Sequence, residues 1–306
     1  MKKIVVFGSY VTDLTSRAPS LPRPGETVFS DQFVMGPGGK GSNQAVAAHR
    51  AGGDIILVTK VGTDLFAENA LAFYQAEKMN TEWVLKDDQH PTGVALIGVD
   101  EKSGQNQIIV CPGACMHITE EDIERMEPLI ESADILLVQL EVNLDALESV
   151  IKRARPDAKI ILNPAPYRPL PDAVWSRCTC VTPNETEAEH FTGIPVTDAQ
   201  SAAKAAEKFH EKGIPNVIIT MGEKGVFVSG SEGQTLIPAT SVPVVDTTGA
   251  GDAFSGCFAT AVAEGKTIPE AARFANIAAG LSVGKQGTAP AMPQREEIDE
   301  LSRKLG

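Results

Sequence analysis

The sequence predicts an α/β protein in which helices cover both faces of a mostly parallel sheet. Short apolar runs alternate with longer segments of helical periodicity along most of the 306 residues. The apolar runs are continuous, which is typical of strands that are buried on both faces. Two segments rich in glycine, proline and aspartate interrupt this alternation. We expect the chain to form one α/β domain over residues 1–306, with the two segments as additions to it.

The predicted elements follow the chain in order. Buried strands are predicted at residues 3–8, 55–62, 135–141, 159–166, 178–185 and 216–222. Helices are predicted between them at residues 41–52, 64–78, 119–132, 143–154 and 198–213. After residue 222, two short strands at 225–230 and 234–239 predict an antiparallel edge, and three helices follow at 250–264, 269–285 and 294–304.

The two interrupting segments, residues 11–36 and 91–113, have the pattern of hairpin strands joined by glycine, proline and aspartate turns. Ligands of open α/β sheets bind at the carboxyl edge of the strands. We therefore expect these segments to form a small β-strand lid over that edge, where a lid would exclude water from the chemistry.

Composition excludes several classes of protein. The net charge of −13 argues against nucleic-acid binding, which needs a basic surface. The five cysteines are odd in number and no pair has the C-x2-C spacing of a zinc site, so reduced thiols are expected. The apolar run at the N-terminus is short, and no run approaches the ~18 residues of a membrane span. We expect a cytoplasmic protein that does not bind membranes.

The stretch "VVDTTGAGDAFSG", residues 244–256, precedes and enters a predicted helix. Its small residues Gly249, Ala250 and Gly251 allow backbone N–H groups to converge beside the positive end of the helix dipole. Such an arrangement binds an anion without a cationic side chain. Asp252 would be a poor phosphate ligand there but a suitable acceptor for the proton of an attacking hydroxyl, as in phosphoryl transfer. The alternative, a simple helix cap, leaves the glycines unexplained.

The stretch "GPGGKGSN", residues 36–43, resembles two nucleotide motifs but fits neither. A P-loop has Ser or Thr directly after its lysine, where this chain has Gly41. A Rossmann motif follows the first strand and has an acid about 20 residues later, whereas Asp54 lies only 13 residues past Gly41. We expect the glycines to bring backbone amides close to a polar ligand, which Lys40 and Asn43 reach. The alternative is a tight turn with a solvated lysine.

Two carboxylates, Asp13 and Glu141, lie just past the carboxyl ends of predicted strands. A carboxylate can accept hydrogen bonds from two neutral hydroxyls, so these positions suit a sugar or a polyol. Capping of a helix is the alternative role for either residue.

Asn184 and Glu187 follow the strand near residue 182, at the start of a predicted helix. They have the spacing of a capping box. The same positions would place an amide and a carboxylate where they could hold the water shell of Mg²⁺ beside phosphates. The turn at 219–225 indicates a nucleotide contact only weakly.

Together, "GPGGKGSNQAVAA", "TPNETEAE" and "DTTGAGDAFSG" resemble the PfkB carbohydrate kinase family, and within it the ribokinase branch most. The likeness extends from Gly8 to the C-terminal "PQREEIDEL". The resemblance implies a ribokinase-like three-layer αβα sandwich with a small β lid, which is often the contact of a homodimer. It also implies ATP-dependent phosphorylation of the primary hydroxyl of a sugar.

The resemblance also implies roles for individual positions. Asp252 corresponds to the catalytic base, and Gly249, Ala250 and Gly251 supply the anion hole. The sugar contacts, besides Asp252, match Asp13, Gly39, Lys40, Asn43 and Glu141. The residues that support Mg²⁺ and the phosphates of ATP match Asn184 and Glu187, and the nucleotide pocket matches Thr220, Gly222, Gly225, Gly251 and Asn276. A monovalent cation, usually K⁺, would lie beside Asp246, Thr248, Ser282, Lys285, Gly287 and Ala291, held mostly by backbone oxygens.

Two positions depart from the ribokinase pattern. Val11 stands where an asparagine would contact a sugar hydroxyl, and Cys115 replaces the asparagine of a G-A-N segment. A hydroxyl buried against Val11 would lose a hydrogen-bond partner at a cost of roughly 1–3 kcal/mol. We expect a pentose substrate, ribose or a sugar such as 2-deoxyribose that lacks or re-orients a hydroxyl.

Other functions remain open from the sequence. Within the same family, a nucleoside or ketose kinase is the alternative. Outside it, a sugar-sensing binding protein would need no base, and an NAD-binding oxidoreductase is disfavoured by the misplaced glycine motif.

Overall fold

The computed structural model describes residues 2–305. Its strands are β1 Lys3–Phe7, β2 Val11–Ala18, β3 Gln32–Gly38, β4 Asp54–Val61, β5 Val84–Lys86, β6 Thr92–Asp100, β7 Asn106–Gly113, β8 Ile135–Val138, β9 Lys159–Leu162, β10 Cys180–Val181, β11 Asn216–Thr220, β12 Val226–Gly230 and β13 Gly233–Ile237. Its helices are α1 Lys40–Arg50, α2 Leu65–Ala76, α3 Glu120–Ser132, α4 Leu144–Arg153, α5 Asp172–Trp175, α6 Glu185–Thr192, α7 Ala199–Glu211, α8 Ala250–Ala263, α9 Ile268–Val283 and α10 Arg295–Leu305.

The large sheet has nine strands in the order β13-β12-β11-β10-β9-β8-β1-β4-β5. The pairs from β11 to β5 are parallel, and β12 and β13 complete one edge in antiparallel pairing. The predicted α/β class, its parallel sheet and its antiparallel edge are therefore confirmed. Because the carboxyl ends of parallel strands meet at one edge, the loops that follow them are gathered there.

Two apolar layers cover the sheet, one on each face. Along β1, Ile4 and Val6 pack into the layer formed with α1, α2, α8, α9 and α10, whereas Val5 and Phe7 pack into the layer formed with α3, α4, α5, α6 and α7. This alternation follows from the two-residue period of a strand, and both faces of β1 are fully buried. The three-layer αβα arrangement is confirmed.

The small sheet has four strands in the order β3-β2-β6-β7 and forms the lid. Its central pair, β2 and β6, is parallel, and the outer pairs are antiparallel. Its strands occupy the two predicted segments, although β3 continues to Gly38. The lid strands β2 and β3 frame the turn that leads into α1.

Two short elements, β5 and α5, were not predicted, and the strand predicted at 178–185 is only two residues long. Elements of two to four residues are too short to establish a period of 2.0 or 3.6. The predicted strand ends early because Asn184 already caps helix α6. No helix among residues 2–305 is long and apolar enough to span a bilayer.

Candidate active site

The start of helix α8 is an uncapped helix terminus. Gly249 is its N-cap residue with φ of 80°, a left-handed conformation that favours glycine, and no side chain caps the helix. Within residues 2–305, the amides of Gly249 and Gly251 have no hydrogen-bond acceptor, and Ala250 donates to the Thr247 carbonyl at 3.3 Å. These donors are free to bind an anion at the positive end of the helix. The alternative role of Asp252 as the cap is wrong, because this residue lies in the first turn.

Asp252 is buried between helices α8 and α1, with 6% of its surface exposed. Asn43 Nδ2 donates to its Oδ2 at 2.9 Å, and Gln44 Nε2 donates to its Oδ1 at 3.0 Å. The structure thus brings together two stretches of sequence separated by about two hundred residues, as the motifs predict for Asn43 and Asp252. Sequence reasoning missed Gln44, which adjoins Asn43 and gave no signal apart from its place in that motif.

The start of helix α1 lies tightly against the end of β1. A Cβ added to Gly41 would lie 2.5 Å from the backbone N of Ser9, so only glycine allows this approach. The approach places the first amide of the helix beside Glu141, which follows β8. Lys40 N donates to Glu141 Oε2 at 2.9 Å, and Ser9 Oγ donates to the same oxygen at 2.5 Å. Glu141 therefore accepts a hydrogen bond from the first backbone amide of α1, the helix that also carries Asn43.

The predicted sugar-contacting residues act on one another electrostatically. Burial opposes the charge of Lys40, but the carboxylates of Asp252, Glu141 and Glu187 outweigh it and raise the pKa of this lysine. Burial also raises the pKa of Asp13 to about 6, helped by the negative charges of Glu141 and Asp252. The Thr288 hydroxyl donates to Asp13 Oδ2 at 3.0 Å and lowers this pKa, but by less than burial raises it. A lysine among carboxylates offers both donors and acceptors to a neutral polar ligand.

Val11 is the first residue of the lid strand β2, two positions before Asp13. Residues two apart in a strand lie on the same face, so the apolar side chain of Val11 flanks the carboxylate of Asp13. Val11 is 6% exposed and packs against Gly93 of β6. A Cβ added to Gly93 would lie only 2.8 Å from Val11 Cγ1. The departure from the ribokinase pattern therefore lies beside the predicted sugar contact.

Cys115 lies in the short turn after β7 and is fully buried. Its Sγ accepts from the Tyr10 N–H at 3.2 Å and lies 3.2 Å from the carbonyl oxygens of Tyr10 and Lys60. The thiol thus binds the backbone at the base of the lid. Cys115 provides no reason to doubt ribose, and the argument about the sugar rests on Val11.

On the other side of the α8 terminus lies a cavity of about 800 Å³. The residues predicted for the nucleotide pocket line it, together with two from the base and cap motifs: Thr220, Gly222, Gly225, Gly251, Asn276, Ala250 and Asn184. Asn276 donates from Nδ2 to the Pro238 carbonyl at 2.8 Å, so it shapes the wall of the cavity through the backbone. The cavity and the cluster of predicted sugar-contacting residues thus meet at the α8 terminus.

Asn184 and Glu187 form the predicted capping box of helix α6. Glu187 N donates to Asn184 Oδ1 at 2.8 Å, and Asn184 N donates to Glu187 Oε2 at 2.9 Å. Burial raises the pKa of Glu187, whereas the Asn184 amide and the positive charge of Lys40 lower it. The box uses one carboxylate oxygen, and the donor set of carboxylate and amide oxygens fits the hydration shell of Mg²⁺.

The predicted monovalent-cation residues are brought together only in part. Asp246 Oδ1 accepts from Thr248 N at 3.0 Å and its Oδ2 accepts from Gly287 N at 3.2 Å. The side chain of Lys285 pairs with Glu297 at 2.7 Å and the Ser282 hydroxyl donates to the Ala279 carbonyl at 2.8 Å. The side chain of Ala291 is buried and apolar. Any cation contacts of Ser282, Lys285 and Ala291 would therefore be left to backbone oxygens, which fits a weakly held monovalent ion.

The fold and the site together define a kinase. An uncapped helix start with a buried carboxylate lies between a cavity of about 800 Å³ and the cluster of Asp13, Lys40 and Glu141, an arrangement suited to transfer of a phosphoryl group to an alcohol.

Comparison with known proteins agrees with this class. The pfkB family of carbohydrate kinases matches residues 1–295, and the chain belongs to this family. It is 41% identical to the ribokinase of Haemophilus influenzae over 301 residues, 98% of each chain. It is 37% identical to a deoxyribokinase of Salmonella typhi over 299 residues, 97% of each chain.

Solved structures show the same fold. The ribokinase of Thermotoga maritima superposes with a TM-score of 0.89 at 34% identity, over 99% of this chain and 100% of that one. The ribokinase of Arabidopsis thaliana, solved with ribose and ATP, superposes with a TM-score of 0.88 at 30% identity, over 98% of each chain. The predicted family and the ribokinase-like fold are confirmed.

Proposed function

We propose that this carbohydrate kinase transfers the γ-phosphate of ATP to the primary 5-hydroxyl of a pentose, and that it prefers 2-deoxyribose to ribose. The observation that carries the sugar assignment is the apolar side chain of Val11 beside Asp13 on the inner strand of the lid. Both ribokinases and deoxyribokinases occur among its relatives, which supports a pentose.

In the proposed mechanism, Asp252 accepts the proton of the 5-hydroxyl as the oxygen attacks the γ-phosphorus. Asn43 and Gln44 hold both carboxylate oxygens, which orients the base toward the acceptor. The free amides at Gly249 and Gly251 and the dipole of α8 stabilise the charge that develops on the transferred phosphoryl group. When bound, Mg²⁺ would neutralise phosphate charge beside Glu187 and Asn184.

The sugar preference follows from hydrogen-bond accounting. Asp13, Glu141 and Lys40 supply acceptors and a donor for the polar edges of a sugar, whereas Val11 supplies neither. A hydroxyl placed against Val11 would lose its water without gaining a partner, at a cost of roughly 1–3 kcal/mol. A sugar without that hydroxyl avoids this cost, so the lid favours 2-deoxyribose.

A monovalent cation and a dimer complete the proposal. Asp246 joins the loop before α8 to the loop at Gly287, and we propose that K⁺ binds there and orders the anion hole. The face of the lid opposite Asp13 carries the exposed apolar side chains of Phe33, Met35, Leu96 and Ile109. We propose that this lid patch is the contact of a homodimer, since an exposed apolar cluster marks an interaction site. Because the donor is ATP, we expect the enzyme in the cytoplasm.

A coupled assay of ADP release tests the function. The purified protein is given ATP, Mg²⁺ and, in turn, ribose, 2-deoxyribose, arabinose, xylulose, fructose and adenosine, in K⁺ and in tetramethylammonium. We expect sugar-dependent release that is largest with 2-deoxyribose and stronger in K⁺. Sugar binding by calorimetry with no sugar-dependent release would indicate a sensor, and adenosine or fructose as the best acceptor would overturn the pentose assignment.

A further inference from the structure

We propose that Gln44 is a positioning residue for the catalytic base, which it links to the ends of two strands of the large sheet. The proposal rests on the proposed function in that Asp252 is taken as the base. Gln44 is not among the predicted sugar contacts, but it is fully buried in helix α1 and donates directly to the carboxylate of Asp252.

A chain of side-chain amides leads from Asp252 to the sheet edge. Gln44 Nε2 donates to Asp252 Oδ1 and to Asn163 Oδ1, both at 3.0 Å. Gln44 Oε1 accepts from Gln139 Nε2 at 2.7 Å. Asn163 directly follows β9 and Gln139 directly follows β8, so the amides lie at the carboxyl ends of adjacent parallel strands. All four side chains are buried, and no more than 6% of any of them is exposed.

The direction of each amide in this chain is determined by its neighbour. Asn163 Nδ2 donates to the Thr182 carbonyl at 2.9 Å, which leaves Asn163 Oδ1 facing Gln44. Gln44 must then present its Nε2 group to that oxygen and its Oε1 to Gln139. Both hydrogens of the Gln44 amide are used, one on Asn163 and one on Asp252. The carbonyl of Thr182, the residue directly after β10, therefore fixes the orientation of both amides so that a donor faces Asp252.

This arrangement requires a neutral donor at position 44. A carboxylate there would face the oxygens of both Asp252 and Asn163, and two adjacent carboxylates cannot both ionise easily. The other charged groups that act on this site are Lys40 from α1, Asp13 from β2 and Glu187 from α6. These three groups are present in the wild type and in every variant of Gln44. A difference in pH dependence between the proteins therefore reports the side chain at position 44.

The test uses two substitutions and a surface control in the full chain. Gln44→Met keeps the size of the side chain and removes the donor, and Gln44→Glu replaces the donor by a carboxylate. Gln200→Glu adds the same charge at an exposed position on α7, a helix on the opposite face of the sheet from α1 and α8. With the preferred sugar, Gln44→Met should lower kcat about tenfold to a hundredfold while the KM of the sugar changes little, the range expected for a misplaced catalytic group. Gln44→Glu should move the acidic limb of the kcat–pH profile up by about one pH unit or more.

A second measurement does not depend on turnover. In protein labelled with ¹³C at the aspartate carboxyls, the Asp252 signal is assigned by its loss in Asp252→Asn and followed against pH. The titration midpoint should move to higher pH in Gln44→Glu and, by a smaller step, in Gln44→Met, and it should stay at its wild-type value in Gln200→Glu.

An unmoved midpoint in folded Gln44→Met, or a wild-type kcat in that variant, would overturn the positioning role. If the wild type phosphorylates no sugar, the proposed function fails, and the midpoints still decide whether Gln44 controls Asp252.

Discussion

The two ends of the active site differ in how closely they follow the pattern of the family. At the proposed phosphoryl-transfer end, the segment of residues 246–252 has a left-handed glycine, free amides and a buried carboxylate. At the sugar end, Val11 replaces a hydrogen-bonding residue on the inner lid strand. In the proposed function, the reaction therefore depends on backbone geometry at the start of α8, whereas the choice of sugar depends on single side chains of the lid.

The two ends also belong to different sheets. Asp252 is linked by buried amides to the strand ends of the large sheet. Asp13 belongs to the lid, where its Oδ2 lies 3.0 Å from the hydroxyl of Thr288 in the C-terminal loop. In the proposed function, a substitution in the lid therefore alters the choice of sugar without removing the hydrogen bonds that hold Asp252.

The largest effect should come from removal of the base. Asp252→Asn keeps the shape of the side chain and abolishes proton acceptance, so kcat should fall by about 10²–10⁴-fold. Sugar affinity, measured by calorimetry, should remain close to that of the wild type. Asp157→Asn, at an exposed carboxylate whose side chain is 78% accessible, is the matched control. Near wild-type turnover by Asp252→Asn would contradict the assignment of the base.

An intermediate effect should appear at the sugar end as the pH falls. Burial raises the pKa of Asp13 to about 6, so this carboxylate gains a proton within an accessible pH range. Hydroxyls bind better to the ionised acceptor, so the KM of the sugar should rise as the pH falls below about 6, approaching tenfold per pH unit. The pH dependence of kcat/KM is compared with that of Asp13→Asn, which should bind more weakly and show no such rise. An identical profile in both proteins would remove Asp13 from sugar binding.

The smallest effect on chemistry should come from the outer surface of the lid. Ile109, 65% exposed on the edge strand β7, lies in the lid patch. Ile109→Glu should convert a dimer into a monomer in light scattering after size-exclusion chromatography, with kcat little changed. Leu236→Glu, at an exposed residue of the edge strand β13, provides the matched control and should leave the mass unchanged. A wild-type monomer would exclude the lid dimer.

Sequence reasoning predicted most of the fold because continuous apolar runs and helical periods are visible without a structure. It also located the motifs around Asp252 and Asn43, which are short and local. Two elements of three and four residues, β5 and α5, were missed because they are too short to show a period.

The amide chain through Gln44 could not be predicted. Its members Gln44, Gln139 and Asn163 come from three distant strand and helix ends, and polar residues inside apolar runs have no pattern of their own. For Cys115, in contrast, the sequence contained a signal that the structure does not support. Its departure from the family pattern suggested a changed sugar contact, but the thiol faces the backbone of Tyr10 and Lys60. A substitution in a sequence motif shows that a side chain differs from the family pattern. It does not show which group that side chain contacts in the fold.

The central claim, that Val11 alters the choice of sugar while the transfer end is conserved, is tested most directly by one ratio. It is the kcat/KM for 2-deoxyribose divided by that for ribose, measured for the wild type and for Val11→Asn in the same assay. We predict a ratio above one for the wild type and a decrease of about 5- to 150-fold in Val11→Asn, the equivalent of one buried hydrogen bond. A wild type that prefers ribose, or a ratio unchanged by Val11→Asn, would contradict the account.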